Sequence, residues 1–233
     1  MTGRAPRGLV LWDIDGTLLR AGDPDHISGL LDALTEVAGR PVSFEGVTLG
    51  GNIERRIARS ALSRAGVAAA QVDALADEAI RRMALRYARA VTDRRDRVLP
   101  GVEGALAALA GQGWRQGVLS GGARRVSETK LVAAGLDGHL TWGAYGDEAD
   151  ERHHLVDLAL AAAGHRGDRD GVVLVGDTPH DVTCARAAGV GVVAVATGRW
   201  SAEQLAEHRP DALLEDLADP DAVVAAVVAA VAR

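Results

Sequence analysis

The chain has 233 residues, enough for one buried α/β core with an inserted subdomain. Hydrophobic residues make up 48% and aromatic residues only 3%, which suits aliphatic strands and helices packed on a parallel sheet. The formal net charge of -6 argues against a nucleic-acid partner, because binding nucleic acid requires a basic surface.

The first predicted element is a short buried strand from Leu9 to Trp12, which ends abruptly at the sequence Asp-Ile-Asp-Gly-Thr. Residues 24–97 then show only helical patterning, with a break at Gly50 and Gly51 and a third helix predicted from Ala74 to Val91. A run of helices that interrupts a strand-helix alternation is typical of an inserted lid.

The alternation resumes after residue 101. Further strands are predicted at Arg115 to Leu119, Leu140 to Gly143, Val172 to Val175 and Val190 to Val195, with helices between them. This pattern predicts a parallel sheet with helices on both faces, and in such a sheet the ligand site lies at the carboxyl ends of the strands.

We therefore expect an α/β protein with a Rossmann-like parallel sheet core and an inserted all-helical cap. The predicted core comprises residues 1–20 and 99–233, and the predicted cap comprises residues 21–98.

Two acidic residues follow the first strand. Asp13 and Asp15 are two positions apart in an extended segment, so their side chains should project to the same side. Such a pair can hold a divalent metal or divide nucleophilic and acid/base roles. A turn formed by the Asp-Gly dipeptide is the alternative interpretation.

Two later segments also follow predicted strands. Asp177 and Asp181 lie in the sequence VVLVGDTPHD, and hard carboxylate ligands suit Mg²⁺, although either residue could simply cap the next helix. Ser120 and Gly121 place a hydroxyl and backbone N–H groups before a helix, where an anion can bind. The same Ser-Gly-Gly sequence would also suit an ordinary loop.

Two residues are candidates for a catalytic cation. Lys130 is the only lysine of the chain and Arg152 opens a later helix, and a solvated surface position is the alternative for either. In the predicted cap, Gly51, Asn52 and Arg55 form the loop-to-helix segment expected to face the core. Arg55 could bind a substrate carboxylate or lie on a solvated helix face.

Cysteine content and apolar segments bear on the cellular compartment. Cys184 is the only cysteine, which excludes an internal disulfide and fits a reducing compartment. The N-terminal segment lacks signal-peptide features, and the apolar segment 222–232 is too short to span a bilayer. We expect a cytoplasmic protein, monomeric or homodimeric, without a membrane partner.

Four segments in order resemble the haloacid dehalogenase-like (HAD) hydrolase superfamily: LVLWDIDGT, GVLSGG, the Lys130 or Arg152 position, and VVLVGDTPHD. The helical insertion is similar to the small α-helical cap of phosphoglycolate phosphatase-like members. Many relatives carry the cation in a Lys-Pro-x-Pro segment, whereas the corresponding region here reads DEADERHH.

The resemblance implies a role for each of these residues. Asp13 would attack phosphorus to form an aspartyl-phosphate, and Asp15 would protonate the leaving oxygen and then activate water. Mg²⁺ would be held by Asp13, the backbone carbonyl of Asp15, and Asp177, with Asp181 in support. Phosphate binding would fall to Ser120, Gly121 and Thr17 together with the cation.

The function implied is Mg²⁺-dependent hydrolysis of a small phosphorylated metabolite. An acid at position 15 disfavours dehalogenase branches, and the absence of lysine from residues 20–99 disfavours phosphonoacetaldehyde cleavage. A phosphosugar mutase and a non-catalytic phosphate-binding protein remain as alternatives.

Overall fold

The computed structural model describes residues 7–165 and 169–232. Six strands form one sheet in the order β3-β2-β1-β4-β5-β6, and every pairing between them is parallel. The strands are β1 (Gly8–Trp12), β2 (Trp114–Ser120), β3 (Gly143–Tyr145), β4 (Val172–Gly176), β5 (Gly191–Val195) and β6 (Ala212–Leu214).

The two faces of the sheet are covered by different helices. In β1, Val10 and Trp12 belong to one apolar cluster, whereas Leu9 and Leu11 belong to another, because successive side chains of a strand point to opposite faces. The helices of the core are α4 (Val102–Gly111), α5 (Arg124–Ala134), α6 (His154–Ala162), α7 (Pro179–Ala188), α8 (Ala202–Ala206) and α9 (Pro220–Val231).

Three further helices lie between β1 and β2 in the chain. They are α1 (Pro24–Ala38), α2 (Glu54–Arg64) and α3 (Ala69–Ala90), hereafter the helical unit. They share an apolar cluster that includes Leu34, Leu62 and Met83. This arrangement confirms the predicted fold class of a Rossmann-like parallel sheet with an all-helical insertion.

Local sequence signals fix the first helix of this unit. The carboxylate of Asp23 accepts hydrogen bonds from the backbone N–H groups of Asp25 and His26, and Pro24 occupies the first turn. Gly39 ends the helix at φ 61°, a left-handed conformation that favours glycine. Helix α1 therefore starts at a fixed point directly after the β1 loop, and His26 lies in its first turn.

Three predicted boundaries were wrong. Helix α6 begins at His154, so Arg152 lies in the turn before this helix rather than at its start. The strand predicted at Leu140 to Gly143 begins only at Gly143 and ends at Tyr145, as β3. Leu140 lies in the preceding loop, where its side chain is buried and its N–H donates to the carbonyl of Leu136. The third helix begins at Ala69 rather than Ala74. Its first three residues, Ala-Ala-Gln, carry no strongly apolar side chain that would mark its start in the sequence. Within the described ranges, no helix is long and apolar enough to cross a membrane.

Candidate active site

The carboxyl ends of the central strands border a cavity of about 160 Å³. The chain leaves β1 toward β2 on one side of the sheet and later returns to β4 on the other side, so a crevice forms where the strand order reverses. The residues from the core that line the cavity include Asp13, Asp15, Ser120, Lys130, Arg152 and Asp177.

Asp13 lies immediately after β1 and is bound to Arg152. One guanidinium nitrogen, Nη2, lies 2.8 Å from Asp13 Oδ1 and 2.6 Å from Asp181 Oδ1. Burial alone would lower the pKa of Arg152, but the two carboxylates raise it above its ordinary value. Arg152 therefore stays charged and fixes the orientation of the Asp13 carboxylate.

Glycines surround Asp177, which follows β4. A Cβ atom at Gly16 or Gly198 would collide with the Asp177 carboxylate, and Gly16 has a φ of 103°. Thr17 Oγ1 lies 3.4 Å from Asp177 Oδ1, and Thr17 is fully buried and does not line the cavity. The structure thus places Thr17 against Asp177 rather than in the cavity.

Asp181 caps a helix and faces the acidic cluster at the same time. Its Oδ2 accepts hydrogen bonds from the N–H and the hydroxyl of Thr178 at 3.0 and 2.7 Å, forming the capping box of α7. Its Oδ1 remains directed at Arg152. Capping and a ligand role are therefore compatible in this residue.

The chemistry of the cluster fits a divalent metal ion. Carboxylate oxygens of Asp13, Asp177 and Asp181 all lie within 4.8 Å of one another, and all three residues are buried. Burial and the neighbouring Asp181 raise the pKa of Asp13 to about 7, and burial together with Asp13 and Asp181 raises that of Asp177 to about 8. Hard oxygen ligands with such mutual repulsion match Mg²⁺.

The carboxylate of Asp15 does not join this cluster but is held by Lys130. The ammonium Nζ lies 2.7 and 2.6 Å from the two carboxylate oxygens and 3.1 Å from His26 Nδ1. Lys130 is 2% exposed, so three hydrogen bonds satisfy its three donors. The structure thus brings both candidate cations to the site, Arg152 on Asp13 and Lys130 on Asp15.

The helical unit contributes the next two residues of this chain of contacts. His26 Nε2 lies 2.6 Å from Glu54 Oε1, and the N–H of Ala123 donates to Glu54 Oε2 at 2.5 Å. Because an ammonium can only donate, His26 Nδ1 accepts from Lys130 and Nε2 carries the proton. Burial would raise the pKa of Glu54, but His26, the Ala123 N–H and Lys130 hold it below its ordinary value.

The loop before α2 packs directly on the core. The N–H of Glu54 donates to the carbonyl of Gly121 at 2.8 Å, and a Cβ atom at Gly121 would collide with the carbonyl of Asn52. Gly51 has a φ of 70°, and a Cβ there would lie 2.6 Å from Thr178 Oγ1. Gly51, Asn52 and Gly121 all line the cavity.

The remaining predicted residues divide between the cavity and the surface. Ser120 is 2% exposed, and its Oγ accepts a hydrogen bond from the N–H of Gly122. Arg55, in contrast, does not line the cavity. Its guanidinium is bound to Asp77 at 2.7 Å and to Asp150 at 3.3 Å, so the structure places it outside the cavity.

Sequence reasoning missed several residues that line the cavity. His26 and Glu54 carry no motif, since their contacts arise only when the helical unit packs on the core. Arg199 and Trp200 also line the cavity. They follow β5, so the rule that ligands bind beyond the carboxyl ends of strands could have identified this loop.

The fold and the carboxylate cluster define an α/β enzyme with an acidic site suited to a divalent cation. The haloacid dehalogenase-like hydrolase model matches residues 10–186, and the chain belongs to this family.

Known relatives agree with this assignment. A phosphoglycolate phosphatase of Cupriavidus necator is 32% identical over 225 residues, covering 91% of this chain and 90% of the relative. One from Nitrosococcus oceani is 27% identical over 213 residues, covering 90% and 92%. The crystal structure of a β-phosphoglucomutase from Clostridium difficile has a TM-score of 0.73 at 13% identity, covering 98% of this chain and all of that one, and shows the shared fold alone.

Proposed function

We propose that this protein is a Mg²⁺-dependent phosphatase that hydrolyses a small-molecule phosphate monoester through an aspartyl-phosphate on Asp13. The observation that carries the proposal is the position of Asp13, which is buried between Arg152 and the other two acids of the cluster. Relatives named as phosphatases that match over nine tenths of the chain support it.

The proposed nucleophile needs a carboxylate that is both oriented and ionised. Arg152 binds one oxygen of Asp13, which leaves the other oxygen to attack phosphorus while the ester oxygen departs. The guanidinium of Arg152 also lines the cavity, so its positive charge lies close to the proposed phosphate position. Phosphoryl transfer depends mainly on such positioning and charge stabilisation.

Asp15 is the proposed acid/base. It is partly exposed to the cavity, whereas Lys130 holds both of its oxygens from the buried side. Asp15 would enter the reaction as the carboxylic acid and donate its proton to the leaving oxygen, and as the resulting carboxylate it would accept a proton from the water that hydrolyses the aspartyl-phosphate. Lys130 would keep the carboxylate in place through both half-reactions.

The proposed metal ligands are the carboxylates of Asp13, Asp177 and Asp181 and the backbone carbonyl of Asp15. A bound Mg²⁺ would neutralise charge on the phosphoryl oxygens. The single buried Cys184 fits the reducing cytoplasm, where we propose that the enzyme acts on a small phosphorylated metabolite.

Phosphate release from a panel of phosphomonoesters, with and without Mg²⁺, tests this function. The native chain should release phosphate only with Mg²⁺, Asp13→Asn should reduce release to background, and the same change at the exposed Asp137 should have no effect. Unchanged turnover in Asp13→Asn would exclude Asp13 as the nucleophile. A folded native protein that hydrolyses nothing would favour the mutase or the binding protein.

A further inference from the structure

The cavity has two chemically different ends. The end at the sheet carries the acids and cations of the proposed phosphoryl site. The opposite end is formed by the helical unit and the loop between α1 and α2. Its apolar side chains at the cavity are Ile27, Leu30, Phe44, Leu49 and Ile57, and they lie beside the polar Asp23, His26, Asn52 and Glu54. Phe44 is the only phenylalanine of the chain, and it lies at this apolar end.

Polar side chains near the apolar end already have partners within the protein. The amide of Asn52 donates to the carbonyl of Thr48 at 3.2 Å and accepts from the N–H of Ile53 at 2.9 Å. The carboxylate of Asp23 accepts from the hydroxyl of Tyr87 at 2.5 Å. A substrate rich in hydroxyl groups would therefore meet few free donors or acceptors on this side.

Apart from the exposed Arg199, the cationic side chains that line the cavity are already bound to acids of the protein, so few of them remain for a second anionic group on the substrate. Asp23 and Glu54 are buried acids that line the cavity, and both have pKa values held below their ordinary range, so both are ionised. Arg94 lies 3.6 Å from Asp23 and His26 lies 2.6 Å from Glu54, and the arginines of α2 add no free cation to the cavity. Arg56 and Arg59 do not line the cavity and are bound to Glu151 and to Asp150.

We infer, given the proposed phosphatase function, that the substrate is the phosphate monoester of an uncharged, largely apolar alcohol with a short alkyl chain or a single ring. The whole cavity of about 160 Å³ is close in volume to an apolar cavity of about 150 Å³ that holds benzene, so the apolar end suits a small group. Phosphoglycolate, whose leaving group carries a carboxylate, fits this cavity poorly.

A homologous series of esters tests the inference on the native protein. Ethyl, propyl and butyl phosphate have nearly the same intrinsic reactivity, so their kcat/KM values should rise about fourfold per added methylene until the cavity is filled. The kcat/KM values for butyl and phenyl phosphate should exceed the value for 2-phosphoglycolate. Equal values across the panel, or a preference for 2-phosphoglycolate, would overturn the inference while leaving the phosphatase function intact.

Two variants test whether the apolar end of the cavity causes the preference for apolar esters. Phe44→Ala should lower kcat/KM for phenyl phosphate about tenfold relative to that for 2-phosphoglycolate, mainly through KM, because it removes apolar contact area. Val47→Ala is the matched control, since Val47 is also half-buried in the same loop but does not line the cavity. If the ratio of kcat/KM for phenyl phosphate to kcat/KM for 2-phosphoglycolate is the same in both variants, the inference is contradicted.

The exposed Arg199 at the rim is the remaining candidate for reading a carboxylate. A preference for 2-phosphoglycolate that disappears in Arg199→Ala would overturn the inference and assign this residue to a charged leaving group. Absence of turnover with every ester would instead refute the proposed function, so the two failures are distinguishable.

Discussion

Glu54→Gln is expected to destabilise the protein although the two side chains have nearly the same shape. Glu54 is 3% exposed, and each carboxylate oxygen accepts one hydrogen bond, from His26 Nε2 and from the N–H of Ala123. Glutamine offers only one acceptor oxygen, so one of these two donors must face an NH₂ group. An unsatisfied buried donor costs about 1–3 kcal/mol.

This cost should appear as a lower melting temperature. For a chain of this size, about 2–4 °C is lost per kcal/mol, so Glu54→Gln should melt about 2–12 °C below the native protein. We also expect kcat to fall about tenfold, equivalent to about 1.4 kcal/mol, because His26 no longer holds Lys130 firmly against Asp15.

The matched control is Glu128→Gln on α5, where the same chemical change affects only an exposed pair with Arg124. Such pairs contribute little, so its melting temperature and kcat should stay at native values. A Glu54→Gln protein as stable and active as Glu128→Gln would refute the chain of contacts from Glu54 to Asp15.

Three further predictions concern the acidic cluster. Thr178→Ala removes the hydroxyl that binds Asp181, so it should cost about 1–2 kcal/mol of stability and weaken Mg²⁺ binding about 10–100-fold by titration calorimetry. Gly198→Ala should reduce kcat/KM at least 100-fold in phosphate-release assays, because the added Cβ collides with the Asp177 carboxylate. In calorimetric melting, the metal-free protein should lose stability from about pH 5 to about pH 8, and Mg²⁺ should stabilise it more at the higher pH.

The sign of the pH effect follows from the raised pKa values of Asp13 and Asp177, about 7 and 8. Between the ordinary carboxylate pKa and these values, the folded protein binds more protons than the unfolded chain, so stability falls as the pH rises. Mg²⁺ binds the deprotonated carboxylates, so its effect grows over the same range. A metal-free protein that becomes more stable toward pH 8 would contradict this account.

Controls separate local from general effects. Ser201→Ala removes the equivalent capping hydroxyl from α8, so it should lower stability without changing the affinity for Mg²⁺. Gly111→Ala adds a Cβ that meets no atom within 4 Å, so its kcat/KM should be native. Weaker Mg²⁺ binding in Ser201→Ala, or lost turnover in Gly111→Ala, would show that the effects are not specific to the site.

The central part of the site follows from the sequence through simple geometry. Apolar strands end directly before Asp13 and Asp177, and strand-helix alternation indicates a parallel sheet, whose carboxyl ends lie at one edge. The positions of these two residues at the cavity therefore needed no tertiary information. The fold class was predictable for the same reason, because alternation and a helical interruption are both visible in the sequence.

The contacts made by the helical unit could not be predicted in this way. His26 and Glu54 are separated from Lys130 by more than seventy residues. Packing of α1 and α2 on the core brings His26 to Lys130 and Glu54 to His26. Arg55 shows the converse, since its position three residues after Asn52 predicts a substrate contact, yet α2 directs it to Asp77 and Asp150. Helix rotation and partner choice depend on packing, which a single sequence does not show.

Mass spectrometry of acid-quenched Asp15→Asn after exposure to 4-nitrophenyl phosphate and Mg²⁺ tests the central claim most directly. The activated leaving group needs no proton, so Asp13 should still be phosphorylated, whereas hydrolysis of the aspartyl-phosphate should be slow without the acid/base. We expect a phosphoryl adduct on the peptide that contains Asp13, and none in the Asp13→Asn variant. An adduct on another residue, or turnover at the native rate without any adduct, would contradict the proposed mechanism.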